Sequence, residues 1–557
     1  MNPNLPNSEN IPSRKIQIEQ AKLIYKFDLN YLPPIVFNET LPPSENFDFD
    51  YNFEKTEEIL RIGTNLAAVK ARQLFDHFDN LDDYEDLYQT IAKPSSFPNY
   101  EYDLEFARQR VAGVNPMVLR KVKDKLPDNC KIQDSDIQKI LGNKITIKDT
   151  IKEGKLFITD YSMLDGLQLG RYERGQKFLT APIALFYWQS SGYNKEDGTT
   201  IGNLIPIAIQ LRQKPEKDEP IFTPLDGLDW RVAKTFLQAA DANHLETYSH
   251  LGRTHLVIEP IIVATHRTIA NTHPLFALLI PHFKFNLAID TIGKKQLINR
   301  GGYMDQLLAG TLEASLKLTG EAYSSYNFDK SMIKTELKDR GLLEKTDLPD
   351  YPYRHDGILI WNAIHKFVSS YIDLYYTTDE IVASDVELQN WVNEIRTMTK
   401  MKGFITENDK EIPLSKKSKL IDTITHIIFT ATAQHSCVNF PQYDFIANVA
   451  NMPFALYKDA PKSRGELKEI SDLMKYLPPN KQTTQQVIIM FLLTAWRYNR
   501  LGHYSDTDFT DERVAPLIDS FQRELTSIEK TIDTRNKKRP VPYIYLKPSL
   551  ILNSINI

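Results

Sequence analysis

The sequence is poor in cysteine, holding only Cys130 and Cys437, too far apart in the chain for the clustered spacing of a disulfide framework or a zinc site. A reducing compartment is therefore expected. A surplus of one charge is also lacking: 67 basic against 72 acidic residues leave a formal charge of -5, which offers no extended basic surface for nucleic acid. Long apolar runs are missing too. A bilayer span takes about 20 apolar residues in succession, and stretches such as Val487 to Trp496 reach roughly half of that. The opening MNPNLPNSENIPSRK has no apolar core of the kind a secretory signal needs. The chain is thus expected to be cytoplasmic, with a peripheral membrane contact left open as a route to a bilayer. What is plentiful is ordinary globular material, 42% hydrophobic and 25% charged, which excludes the disordered and fibrous classes.

Residues 1–50, rich in Pro and Asn and containing Pro33-Pro34 and Pro42-Pro43, read as coil that is partly disordered. Residues 51–100 read as a helical extension, because Ile59, Leu60, Ile62, Leu66, Val69, Leu74 and Phe75 recur at helical spacing. Residues 101–557 show no repeat and no linker and read as one large domain. Its apolar segments have helical period over 229–271, 357–376, 418–440 and 484–499, with short β-rich runs at 155–160, 181–188 and 204–211. The fold class expected is mainly α, with a small β-sheet subdomain beside the helices. The final stretch, PVPYIYLKPSLILNSINI, stays apolar to its last residue, so the end of the chain is expected to be held inside.

The richest segment for chemistry is His244 to His282, which carries six of the 12 histidines and so invites a metal hypothesis. His250 and His255 are five apart, about 140° around an ideal α-helix, and come nearly into line only if the helix widens to π geometry. A π-bulge is the structural expectation. His435 and Asn439 are four apart and share a face of an ordinary helix. Hydrogen-bonded core histidines remain the alternative for each pair taken alone. Glu246 and Glu259 suggest a carboxylate-bridged di-metal bundle, but the paired Glu-x-x-His motifs of such bundles are absent.

Taken together, these residues resemble the lipoxygenase family, whose signature is two histidines five apart in a long helix, a distant His and Asn, and a C-terminal isoleucine. The blocks FARQRVAGVNP at 106–116, LFITDYSMLDG at 156–166, LIPIAIQL at 204–211 and YPYRHDGILIW at 351–361 are similar to family blocks, so the resemblance runs from about residue 100 to the end. It implies a bacterial-type short lipoxygenase without the N-terminal β-barrel, and one non-heme iron, manganese being the lesser alternative. The implied ligands are His250, His255, His435, Asn439 and the terminal carboxylate of Ile557. Gln442 and Glu246 are implied as hydrogen-bonding neighbours of those ligands. The position five before His250, histidine in many members, is Leu245 here, with His244 one residue earlier.

The resemblance also implies the reaction. A bis-allylic hydrogen is abstracted from a polyunsaturated fatty acid, and O2 adds to give a hydroperoxide. No side chain need act as acid or base, that role falling to the metal-bound hydroxide. Gly293 matches the position where glycine usually accompanies R products, Leu297 the leucine shielding the pentadiene, and Leu307 and Leu308 the residues near channel depth. Two alternatives stay open, a hydroperoxide isomerase on the same site and a catalytically silent lipid-binding protein. No protein partner is expected.

Overall fold

Gly227–Thr268 is buried on nearly every side although it carries polar residues such as Asp241, Asn243 and Glu259, so those residues need partners inside the protein. In the computed structural model, which describes residues 2–73, 78–193, 199–216 and 219–557, this stretch is the buried axis of the molecule. Gly227–His244 is α-helical, Leu245–His255 widens to π geometry as expected, and Leu256–Thr268 returns to α. Pro260 has no N–H to give Leu256, so one rung of the ladder is missing just beyond the π segment. Leu312–Ser325 packs on the π segment and Val386–Thr399 on the α-helix that follows it.

The second long buried helix is Lys417–Phe429, followed by a π segment at Thr430–Gln434 that the 418–440 periodicity did not reveal, and by His435–Asn439. It packs on Pro352–Asp373. The segment expected over 484–499 is helical from Asn480 and stops at Leu492.

The three β-rich runs form the last three strands of a four-stranded antiparallel sheet, in the order Arg120–Lys121, Leu156–Asp160, Ile183–Tyr193, Thr200–Gln210. Side chains alternate across a strand, and the two faces are both used. Leu156, Ile158, Ile183 and Leu185 enclose a small separate core with Ile132 and Ile137, whereas Phe157, Ala184 and Phe186 face the main core. That main core runs without interruption from Tyr25 to Ile557.

The N-terminal expectation needs correction. Residues 1–50 are not simply coil: Ile11–Ile24 is a helix, and Phe27–Leu32 pairs with Ile35–Asn38 in a hairpin. Local sequence there is weak, and long-range contacts hold it. Arg14 forms a two-pronged ion pair with Glu387 at 2.5 and 2.8 Å, Asn4 N–H reaches Thr272 O at 2.8 Å, and Tyr25 stacks on His266. The helix of the next segment spans Phe49–Gln73. Leu74 and Phe75 lie outside the described residues.

Among the described residues no single helix is long and apolar enough to cross a membrane. The bent pair Pro274–His282 and Asn286–Gln296 passes on length and composition, but its second member walls an internal cavity.

The Arg14–Glu387 pair is 4% and 6% exposed, so removing one partner strands a buried charge, at about 3–5 kcal/mol. Arg14→Met is expected to free the N-terminal segment for early cleavage by trypsin at Lys15, Lys22 or Lys26, while the main body resists. The check is limited proteolysis with N-terminal sequencing of the products.

Candidate metal centre

A five-residue spacing brings two side chains onto one side only when the helix is wider than α, and the π segment meets that condition for His250 and His255. His435 comes from the start of His435–Asn439, directly after the second π segment. The three Nε2 atoms form a triangle with sides of 3.3 Å between His250 and His255, 3.1 Å between His255 and His435, and 3.4 Å between His250 and His435. Metal–nitrogen bonds of about 2.1 Å meeting near right angles place nitrogens about 3 Å apart. The triangle, with sides between that and the roughly 3.4 Å of a tetrahedral arrangement, has the size of one face of a metal coordination shell.

The chemistry of the donors agrees with the size. Burial lowers all three imidazole pKa values: His255 to about 4, with His250 also lowered and His435 well below its ordinary value. They are neutral at physiological pH, as metal-binding imidazoles are. His255 Nδ1 lies 2.7 Å from Asp290 Oδ1, which holds a proton on Nδ1 and leaves the Nε2 lone pair aimed into the triangle. His250 Nδ1 is 3.5 Å from a Glu246 carboxylate oxygen and 3.3 Å from Gln442 Nε2. Gln442 Nε2 also donates to Asn439 Oδ1 at 3.1 Å, and Asn439 Nδ2 donates to Leu493 O at 2.7 Å, which fixes the Asn439 amide oxygen as acceptor. Three neutral imidazole nitrogens converging on one point, one of them oriented by a carboxylate behind it, form a donor set suited to a metal ion.

Ile557 is 2% exposed and lines the same cavity as His250 and His255. Its approach is pinned on three sides: Tyr51 OH donates to Asn556 O at 2.7 Å, Leu552 N–H to Ser436 Oγ at 3.2 Å, and Ser554 Oγ to Lys284 O at 2.8 Å. Ile551, Leu552, Ile555 and Ile557 are all buried, each contributing about 1.5–3 kcal/mol. Apolar burial explains a tail that stays hydrophobic to its end.

The cavity has a volume of about 410 Å³ and a largely apolar wall, within the range of about 300–1,000 Å³ that holds small molecules. Gly293, Leu297, Leu307 and Leu308 all line it, as do Glu246 and Lys55. A Cβ built on Gly293 would lie 3.9 Å from Leu297 Cδ1, an ordinary contact. Glycine here is thus a matter of space, not backbone strain.

His244 stands apart from the triangle. Its Nδ1 meets Asn115 Nδ2 at 2.9 Å and Ser249 Oγ at 3.3 Å. Two further residues escaped sequence reasoning. Asp290 is 35 positions from His255 with no spacing motif to join them, and burial pushes its carboxyl up to about 7. Lys177 is fully buried, its Nζ donating to Asp305 O at 2.9 Å and to the O of the cavity-lining Leu308 at 2.8 Å.

Burial brings the Lys177 amine down to about 8 from 10.5. Between those values the unfolded chain holds a proton that the folded one has released, so stability rises with pH across the window and is lost as pH falls through 8. The difference in thermal stability between wild type and Lys177→Met is expected to move in favour of wild type from pH 8 to 10, by about 1.4 kcal/mol per pH unit at most. Calorimetry at the two pH values checks it.

Comparison with known proteins gives a consistent result. Residues 53–542 match the family profile described as lipoxygenase. The chain is 33% identical over 522 residues to the linoleate 9/13-lipoxygenase of Pseudomonas aeruginosa, covering 90% of this chain and 72% of that protein. Among solved structures, a lipoxygenase variant in complex with arachidonate is 30% identical and superposes with a TM-score of 0.90, covering 100% of this chain and 84% of that one. The coral 8R-lipoxygenase is also 30% identical, with a TM-score of 0.89, covering 100% of this chain and 83% of that one. With its profile match, these relatives and a metal-ready histidine triangle beside a lipid-sized cavity, the chain belongs to the lipoxygenase family.

Proposed function

We propose that this protein is a non-heme iron dioxygenase that converts a polyunsaturated fatty acid to its hydroperoxide, of R configuration. The observation that carries the reading is the triangle of neutral imidazoles, two of which, His250 and His255, line an apolar cavity of about 410 Å³. His250, His255, His435, Asn439 and the Ile557 carboxylate would hold the iron. Three neutral imidazoles, an amide and one carboxylate bring little negative charge, a donor set that favours a strongly oxidising ion. Bound there, iron supplies the one-electron redox step by which a bis-allylic C–H bond is broken, which zinc cannot supply.

The chain's own residues do the rest. Asp290 and Gln442 fix the orientation of His255 and His250 from behind, so the ligand set is held before substrate arrives. Leu297, Leu307 and Leu308 give the fatty acid an apolar wall against which one methylene is presented. Gly293 leaves room on one side of the acyl chain for O2, and the similarity to the coral 8R-lipoxygenase supports an R product. The substrate class is supported by the arachidonate bound in a structural neighbour. A peripheral contact with lipid membranes would serve its supply.

His435→Ala is expected to lose bound iron and to lower oxygen uptake with linoleate or arachidonate by more than about a hundredfold. Iron analysis and an oxygen electrode, with conjugated-diene absorbance, check it. An iron-replete wild type that ignores fatty acids but consumes their hydroperoxides would place the protein with the isomerases. One that consumes neither would be a silent lipid binder. Gly293→Ala is expected to shift the product from R toward S without loss of fold, read by chiral chromatography of the hydroperoxides.

A further inference from the structure

A second cavity, of about 180 Å³, opens onto parts of both π segments that the fatty-acid cavity does not touch. Tyr248, Ser249 and Arg253 reach it from Leu245–His255, and Thr430 and Gln434 from Thr430–Gln434. Each histidine of the triangle has a close chain neighbour in this wall: Ser249 beside His250, Arg253 two before His255, and Gln434 beside His435.

The cavity is polar and its charges are unbalanced. Arg253 has no carboxylate within ion-pair distance among the described residues. Its guanidinium lies 4.1 Å over the Tyr248 ring and donates to the Tyr248 hydroxyl, while its Nε is buried without a partner. His426, 3% exposed, meets Tyr326 OH through Nε2 at 3.0 Å and leaves its Nδ1 unpartnered. Burial keeps His426 and His244 neutral, each brought down to about 3. Of the two carboxylates in the wall, Glu336 is held by both prongs of Arg340, and Asp160 accepts from Ser162 N–H and Gln213 Nε2 at 2.9 Å each. Arg120 lies exposed in the wall. Arg253 and Arg120 against Asp160 leave one positive charge unmatched.

A half-buried guanidinium with a free edge, inside a polar cavity, is built for a planar monoanion. The carboxylates of Asp160 and Glu336 disfavour a dianion. At about 180 Å³ it has less than half the volume of the fatty-acid cavity, which suits a small organic acid better than an acyl chain. An anion on Arg253 would draw the guanidinium from Tyr248 and load the π segment between two of the histidines. We propose that this cavity binds a small carboxylate anion on Arg253 and that its occupancy is felt at the metal centre through the two π segments. The binding stands on this cavity alone, whereas the coupling rests on the iron reading above.

The test is calorimetric titration of the iron-loaded protein with acetate at constant ionic strength, paired with the ferric electron paramagnetic resonance spectrum. Inorganic phosphate at a pH where it is a dianion serves as the comparison. Saturable binding of acetate, tighter than phosphate and weakened about tenfold or more in Arg253→Met, with a changed ferric line shape on saturation, is the expected result. Met117→Phe, which fills the cavity from another wall without touching Arg253, should also abolish binding and guards against misfolding of the first variant. Non-saturable heat, or equal affinity in wild type and both variants, would overturn the site. Saturation with an unchanged spectrum in a protein that retains iron would overturn the coupling.

Discussion

Five residues of chain cannot put two imidazoles on one side of an α-helix, and the whole site depends on how the protein evades that constraint. Widening Leu245–His255 to π geometry turns His250 and His255 toward each other, to an Nε2 separation of 3.3 Å. Such widening sacrifices good i→i−4 bonding, and it persists because Leu312–Ser325, His435–Asn439 and the second π segment pack against it. Thr247 Oγ1 bonds back to Asn243 O and Thr254 Oγ1 to His250 O, giving the displaced carbonyls alternative donors. Gly252 sits where Leu312–Ser325 crosses, and a Cβ there would come within 2.7 Å of Ala322 Cβ. Close approach of that helix thus braces the widened turn from outside.

A second consequence is that the candidate metal site draws on three distant parts of the chain, each rigid for a different reason. The axial helix is held by burial, His435–Asn439 by the second π segment, and the terminal residues by apolar burial with backbone hydrogen bonds to Ser436 and Tyr51. Asp290 adds a fourth part by fixing the His255 ring. No single segment carries a complete set of donors, so the centre forms only when the global fold does.

Much of this was legible in the sequence, for identifiable reasons. The His250 and His255 spacing contradicts α geometry, which is why it foretold a π segment; the helical and β runs carry their periods openly. Thr430–Gln434 gave no such signal, because no pair of functional residues spans it at an odd spacing. Asn439 stood out only through family resemblance, since one buried amide looks like any other. Asp290 and Lys177 act through contacts far from their partners in sequence, which periodicity does not encode. The helix at Ile11–Ile24 was missed for a similar reason: its stability comes from Glu387, Thr272 and His266, not from its own propensity.

The central claim is that His250, His255 and His435 bind one redox-active metal ion facing the apolar cavity. Its most direct test is anomalous diffraction at the iron edge from crystals of the protein purified with its native metal. A single iron peak within bonding distance of all three Nε2 atoms, with the Ile557 carboxylate beside it, is the predicted result. An empty triangle in a protein that retains iron elsewhere, or a zinc edge at that position, would contradict it.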